Sequence, residues 1–330
     1  MRRSEFLRVT AAGLGAALLA GAVGCAPRRP DGGAEPVDVT ARRILVPAAA
    51  GGGYDLTART VAKILAAEGI TSEHPEVFNV PGAGGVLGLV RAIAEEGDGG
   101  LALAMGMGVV GAWRTSGTRA ELLDITPLAR VSEEPGALLV DDSTGFRTAD
   151  EFFRAWRADP RRLRVGGGSV AGGPDHLLAV GVARALGIAP GDIAFSAFSG
   201  GGDLLSGLLT GAVDVAFGGS GETRPQVRAG SVRVLAVSGP ERAEGIDAPT
   251  LQEAGVDLVF RNWRGFAAPP GIAEPDRVAW IDDLSRMRET DAWREALQAN
   301  GWTDAYLEGD DFGAFIAAQR DAVDEMLGEG

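Results

Sequence analysis

The sequence predicts an α/β fold built on parallel sheets, and three observations predict it. A unit of apolar run, glycine-rich loop and helical pattern recurs six times. It opens at Ile44 (ILVPAAAGGGYDLTAR), Val77 (VFNVPGAGGVLGLVRAIAEEG), Leu101 (LALAMGMGVVGAW), Leu163 (LRVGGGSVAGGPDHLLAVGVARALG), Ile193 (IAFSAFSGGGDLLSGLLTG) and Val213 (VDVAFGGSGETRPQVRAG, with a shorter helix). Each apolar run has the length of a buried parallel strand, about 4–8 residues. Each following stretch carries helical spacing: Leu56, Thr60, Ile64 and Leu65 in the first, Val86, Leu87, Val90 and Ile93 in the second. Strands alternating with helices argue for parallel sheets. In such folds ligands bind beyond the C-terminal strand ends, where these loops lie.

In chain order the first element is a targeting segment. "MRRSEFLR" is basic, "VTAAGLGAALLAGAVG" is apolar and small, and Cys25 follows. A basic region, a short apolar region and small residues before a break make a signal peptide, residues 1–24. The apolar run is too short for a membrane span. Arg2-Arg3 before Phe6-Leu7 resembles a twin-arginine signal with the spacing off by one, which leaves the export route open. Cys25 is the only cysteine, so an internal disulfide is impossible. "AVGC" resembles a bacterial lipobox, which makes Cys25 the lipid attachment site. Residues 25–41 then read as a Pro/Gly-rich, lipid-anchored tether.

Composition bounds the partners. The 330 residues suffice for two ordinary domains. The net charge of −14 argues against nucleic acid, because phosphate binding wants a basic face. A small anion is still admissible, because backbone amides can hold one. Glycine is abundant, 50 residues, but Lys63 is the only lysine. Such a bias suggests a GC-rich genome, so the placement of glycine counts, not its number. The placement has a physical use. The first amides of a helix lack intrahelical partners and carry the positive end of its dipole. A loop without Cβ atoms lets an anion reach them. The plainer reading is that glycine merely permits tight turns; six similar loops strain it.

Enzyme readings fare poorly. "GMGVVG", Gly106 to Gly111, matches a dinucleotide fingerprint, but Trp113-Arg-Thr-Ser-Gly117 cuts the helix short. The chain has no GxxxxGK[ST] loop and no GxSxG elbow; "GGSGE" places Glu222 where glycine is required. Of two histidines, His74 sits in a polar loop and His176 at a helix start, where packing is favoured over ligand contact. One cysteine and two distant histidines make no metal cluster. Catalytic residues, cofactor and metal are therefore all expected to be none, the profile of a binding protein.

An ordered set of segments then meets a known family. "VPAAAGGGYDLTARTVA", "FNVPGAGGVLG", "FSGGGDLLSGLLTGAVDVAFGG", "VRAGSVRVLAVSGPER", "PTLQEAG" and "NWRGFAAPPGI" resemble the substrate-binding proteins of tripartite tricarboxylate transporters, the TctC or Bug family. The resemblance spans about residue 42 to the C-terminus. It implies a two-lobed periplasmic-binding-protein fold, type II-like, closing on an organic acid held by backbone amides. By position it assigns the first grip to Ala49, Gly51, Gly52, Gly53, Tyr54 and Asp55. The second lobe contributes Ser169, Ala171, Gly172, Ser199, Gly200, Gly201 and Asp203, with Gly219 and Ser220 beside them. Asp55 is expected to cap amides or hold water, since a bare carboxylate would repel an acidic ligand. The chain departs from the family at Pro47-Ala48, at Tyr54 and at Ser199-Gly200-Gly201-Gly202, which bears on which acid is bound. The Tyr54 hydroxyl is where an extra acid group could be read.

The expected layout is lobe one from 42–133 and 238–330 and lobe two from 134–237. The crossings would be "LARVSEEPGALLV" and "VRVLAVSG", with the site between lobes. The C-terminal segments read as amphipathic helices with Trp280, Leu284 and Met287 in the core. Trp263 and Arg264 are read as packing near the hinge, with ligand or membrane-subunit contact as the alternative. The expected function is capture of a small organic acid, di- or tricarboxylate and citrate-like, for delivery to the large and small membrane subunits of the transporter. The protein would be an exported monomer in the cell envelope, touching membrane only through its anchor. The alternatives are a sensor feeding a two-component kinase and an α/β enzyme acting on a carboxylated substrate.

Overall fold

The computed structural model describes residues 41–328. The signal segment 1–24, Cys25 and all but the last residue of the tether lie outside the described residues. The chain begins β1 (Arg43–Val46), α1 (Gly53–Ala67), β2 (Glu76–Asn79), α2 (Val86–Ala94), β3 (Leu101–Gly106) and α3 (Met107–Ser116). The 15-residue β4 (Thr126–Val140) follows. Then come α4 (Ala149–Ala158), β5 (Val165–Gly167), α5 (Pro174–Ala185), β6 (Phe195–Ala197), α6 (Gly201–Leu209), β7 (Val215–Gly219), α7 (Ser220–Arg228) and β8 (Arg233–Val237). The chain finishes with β9 (Arg261–Ala268), α8 (Glu274–Arg288), α9 (Asp291–Asn300), β10 (Thr303–Glu308) and α10 (Gly309–Leu327). All six repeats of glycine loop and helix are present, each helix starting at or just past its glycines.

The strands form two lobes, each a sheet flanked by helices. In the first, β1 lies parallel between β2 and β3, with Ile44 opposite Val77 and Ala102. In the second, β5 lies parallel between β6 and β7. The parallel expectation holds for these outer strands, each joined through a crossover helix. The middle is antiparallel. β9 runs against both β3 and β4, and β10 runs against β4. β9 enters the first sheet from the second lobe, so its direction opposes that of strands entering from within the first.

β4 belongs to both sheets. Its residues Thr126–Pro135 pair with β9, and Gly136–Leu139 pair with β7. One buried serine fastens the crossing: Gly136 N donates to Ser238 Oγ at 2.7 Å, and Ser238 Oγ donates to the Phe260 carbonyl at 2.7 Å. The chain does not return to the first sheet directly after Val237. Val237 bridges Thr250, and Ile246 and Ala248 pack with Leu139, Leu204 and Val213 of the second lobe. The stretch 239–258 thus stays with the second lobe, and Phe260 makes the final pass.

The helix faces match the expected spacing only in part. α1 buries the expected Ile64 and Leu65 together with Ala58, Val61 and Ala62, while Leu56 is exposed. α2 buries Val86, Leu89 and Ala92, while Leu87 and Val90 face solvent. Small residues take the sheet-facing positions because the backbones approach closely; a Cβ on Gly88 would stand 2.9 Å from the Pro47 Cα. The aromatic core follows expectation, with Trp280, Leu284 and Met287 fully buried. One apolar cluster continues from lobe to lobe, joining Val109 and Val110 of α3, Leu177 and Leu178 of α5, and Ile316 and Val323 of α10.

Candidate functional site

The first loop, between β1 and α1, is built by Asp55. Its Oδ2 accepts the Gly51 amide at 2.8 Å, and its Oδ1 accepts Asn79 Nδ2 at 2.9 Å. Arg59 Nε reaches both oxygens at 3.0 Å. Burial raises a carboxyl's pKa, but here the Arg59, Gly51 and Asn79 bonds outweigh it and hold Asp55 below its ordinary value. Asp55 is therefore a brace, as its expected capping role requires. It also occupies the Gly51 amide. That leaves the helix-start amides of Gly53 and Tyr54 at the positive end of α1, whose N-cap Gly52 brings no side-chain cap. Ala49, Gly51 and Gly52 are exposed to solvent.

Tyr54 is placed differently from the expectation of a ligand-reading hydroxyl. Its Oη accepts the Val109 amide at 3.2 Å, at the start of α3. The ring edge stands 3.2 Å from where a Gly106 Cβ would lie. Glycine in "GMGVVG" thus makes room for an aromatic ring, not for a pyrophosphate. Burial pushes the Tyr54 phenol up to about 12, against the bonds from Val109 and Gly108 and the charge of Arg264.

On the second lobe the loops after β5 and β6 meet: a Gly168 Cβ would stand 2.9 Å from the Gly200 carbonyl carbon. The loop before α5 satisfies itself. Ser169 Oγ accepts the Asp175 amide at 3.1 Å, and His176 Nδ1 accepts the Gly172 amide at 3.1 Å, which puts the ring proton on Nε2. His176 also packs edge-on against Phe195, and burial lowers its pKa. The α6 start is freer: Gly200 caps without a side chain, and Gly202 and Asp203 are exposed. Ala171 and Ser199 are exposed as well. Gly219 caps α7 and lies beside Glu134, whose Oε2 is 3.2 Å from a Gly219 Cβ position. Ser220 is buried and lines a cavity of about 380 Å³ with Glu133, Arg224, Arg261 and Trp302. None of the loops at 49–53, 169–172 or 199–203 borders that cavity.

Between the two sets of loops lies a charged floor. Arg264 Nη2 pairs with Glu134 Oε1 at 2.8 Å, both side chains being nearly inaccessible. The guanidinium lies against Gly53, where a Cβ would collide with it, and 5.7 Å over the Trp302 ring. Burial would lower the Arg264 pKa, but the charges of Glu134 and Glu222 and the Tyr54 phenol raise it overall. Glu222 reaches Gly201 at the start of α6. Burial, then the Glu134 charge, raises its carboxyl, with Arg264 opposing. Asp175 feels the same field more strongly: burial first, then Glu222 and Glu134, push it to about 7.

The two lobes touch above this floor. A Cβ on Gly111 would collide with the Gly172 carbonyl oxygen, and Val170 reaches Gly84 at 3.1 Å from a Cβ position. The first loop and the second-lobe loops thus share one region, joined through Arg264 and Glu134. Sequence reading favoured packing near the hinge for Trp263 over ligand or membrane-subunit contact; the side chain is buried and packs edge-on against Phe312 and Phe315. It also read Arg264 as packing, and missed Glu134 and Asp175. Their spacing carries no signal, because three separate elements bring them together.

Two facing lobes with glycine-capped helix starts and an enclosed charge pair are an arrangement suited to holding a small solute. The family model described as tripartite tricarboxylate transporter family receptor, TctC, matches residues 57–328, and the chain belongs to that family. A TctC solute-binding protein from Polaromonas, without ligand, is 26% identical, with TM-score 0.68 over 87% of this chain and 97% of that one. MatC from Rhodopseudomonas palustris, with bound malate, is 24% identical, with TM-score 0.75 over 87% and 98%. A UPF0065 protein from the TAR-I ttuE-ttuC' intergenic region of Agrobacterium vitis is 25% identical over 241 residues, 71% of this chain and 67% of its own.

Proposed function

We propose that the protein captures a small organic acid between its lobes and hands it to the membrane subunits of a tripartite tricarboxylate transporter. The observation that carries this reading is that α1 and α6, one from each lobe, start at glycine N-caps with no side-chain cap, Gly52 and Gly200, in solvent-exposed loops. Such starts favour anions, each carrying roughly half an elementary charge. Arg264, on the floor between the lobes, lies against Gly53 at the α1 start, with its charge paired to Glu134. The ligand class is a di- or tricarboxylate, with citrate-like acids the first to try. The malate in MatC and the adipate held by another R. palustris protein of this fold are consistent with that class. No helix among the described residues is long and apolar enough to cross a membrane. The reading includes export, with Cys25 as lipid anchor, and a monomer working outside the cytoplasmic membrane.

A thermal-shift screen of the mature protein against carboxylic acids tests it. A ligand at 100 times its Kd adds about 2.7 kcal/mol. Gly52→Val checks the first loop. Gly52 has φ −79°, and only the Ala49 carbonyl stands near its Cβ position, at 3.6 Å, so the variant folds. Its branched side chain covers the α1 start, and binding is expected to fall at least tenfold. Undiminished binding would remove the first loop from the grip.

A further inference from the structure

The cavity of about 380 Å³ beside Ser220 has the size of a small-molecule site, and none of the proposed gripping loops borders it. Both lobes wall it. Ser220 and Arg224 of α7 come from the second lobe. Leu297, Gly301 and Trp302, at the end of α9 and the turn before β10, come from the first. The two walls are in contact. A Cβ on Gly221 would collide with the Asn300 carbonyl oxygen, and one on Gly301 would stand 2.9 Å from Arg224 Cζ.

Two polar groups of this cavity lack partners. Ser220 is only 1% exposed, and its Oγ makes no hydrogen bond. Arg224 Nε is buried and equally unpartnered. Each forfeits its bond to water without a replacement inside the protein. The Arg224 guanidinium also joins no ion pair among the described residues, although acids share the lining. Glu133, the buried one, is already divided between Arg130 and Arg261. Glu241 and Glu244 are exposed, so water solvates them, and Arg242 is paired with Glu253. With Arg224 unpaired and Glu133 outnumbered, this side of the cavity has a surplus of positive charge. Leu297, Trp302 and Pro240 supply apolar surface beside it.

We propose that this cavity is a second ligand site, which takes a small molecule carrying one oxyanion, phosphate or carboxylate, on an apolar body. The oxyanion lies on Arg224, whose planar fork matches either group, and accepts the Ser220 hydroxyl. The body lies against Leu297 and Trp302. Because each lobe supplies a wall, the occupant bridges them beside the crossing at Pro135 and Gly239, which also line the cavity. The site is independent of the organic-acid site and stands whether or not that one takes the acids named above.

Calorimetry of the mature protein with phenyl phosphate, benzoate and inorganic phosphate tests the proposal. Phenyl phosphate or benzoate is expected to bind about tenfold or more tightly than inorganic phosphate, and which of them does so separates the two oxyanions. Arg224→Gln is expected to weaken that binding about tenfold or more. Gln298→Glu, at an exposed position of the same lining, places a like charge beside the oxyanion and is expected to weaken it about threefold or more. Circular dichroism confirms the fold of each variant, and Gln298→Glu decides if Arg224→Gln fails to fold. Binding that survives both variants overturns the proposal, and its loss in Gly52→Val then assigns the probe to the organic-acid site. Binding of neither aromatic probe overturns it too, as does binding of inorganic phosphate as tightly as both.

Discussion

Asp175 shows how one residue's environment sets a measurable property. Burial, then Glu222 and Glu134, push its carboxyl from an ordinary 3.8 to about 7. The folded state therefore binds a proton that the unfolded chain releases between these values. Stability is full below pH ~4 and falls as pH rises towards 7. Asp55 and Asp214 shift the other way, and their contributions are lost only in acid. Between pH 5 and 8 the ligand-free protein is thus expected to lose on the order of 2 kcal/mol, discounted for partial exposure. Asp175→Asn reduces the slope, with a remainder from Glu222 and Asp283, which burial raises in the same direction. Thermal melts at pH 5, 6, 7 and 8 check this, and an undiminished slope in the variant would place its origin elsewhere.

At the scale of elements, glycine does two jobs that sequence alone does not separate. At Gly52 and Gly200 it opens a helix start. At Gly106, Gly108 and Gly111 it lets something else come close: the Trp263 carbonyl, the Tyr54 hydroxyl and the Gly172 carbonyl. The glycine loops were legible as one repeated unit, but which served a ligand and which a neighbour was not. That depends on what lies opposite. Gly111→Val puts a branched side chain into the contact between α3 and the loop before α5. It is expected to cost ~1–3 kcal/mol or to push the lobes apart. Small-angle scattering of the variant should show a larger radius of gyration, and an unchanged radius with an unchanged melting temperature would mean that this contact does not form in solution.

For the whole molecule the decisive place is the crossing between sheets. Gly136, Ser238 and Phe260 belong to three passes of the chain, and one hydroxyl fastens them. Ser238 is only 1% exposed, so Ser238→Ala orphans an amide and a carbonyl that water cannot reach. The loss should be ~2–4 kcal/mol, read in urea denaturation. A loss under ~0.5 kcal/mol would show that the junction is held by backbone pairing alone. The β4 crossing was readable from its apolar run. The return was expected at "VRVLAVSG" but falls near Phe260, because "VDLVF" follows a stretch whose attachment to the second lobe depends on Ile246 and Ala248 finding Leu139 and Leu204.

The sequence by itself determined the α/β class, the six units of strand, glycine loop and helix, and the family, but not α4, β10 or the antiparallel middle of the sheets. These rest on local periodicity and on motifs that lie along the chain. Only the tertiary structure decided the charge of the cleft. Arg264, Glu134, Asp175 and Glu222 come from β9, β4, α5 and α7, far apart in sequence. Their mutual fields exist only when the lobes face one another, since a charge is felt through distance in space and solvent, not along the chain.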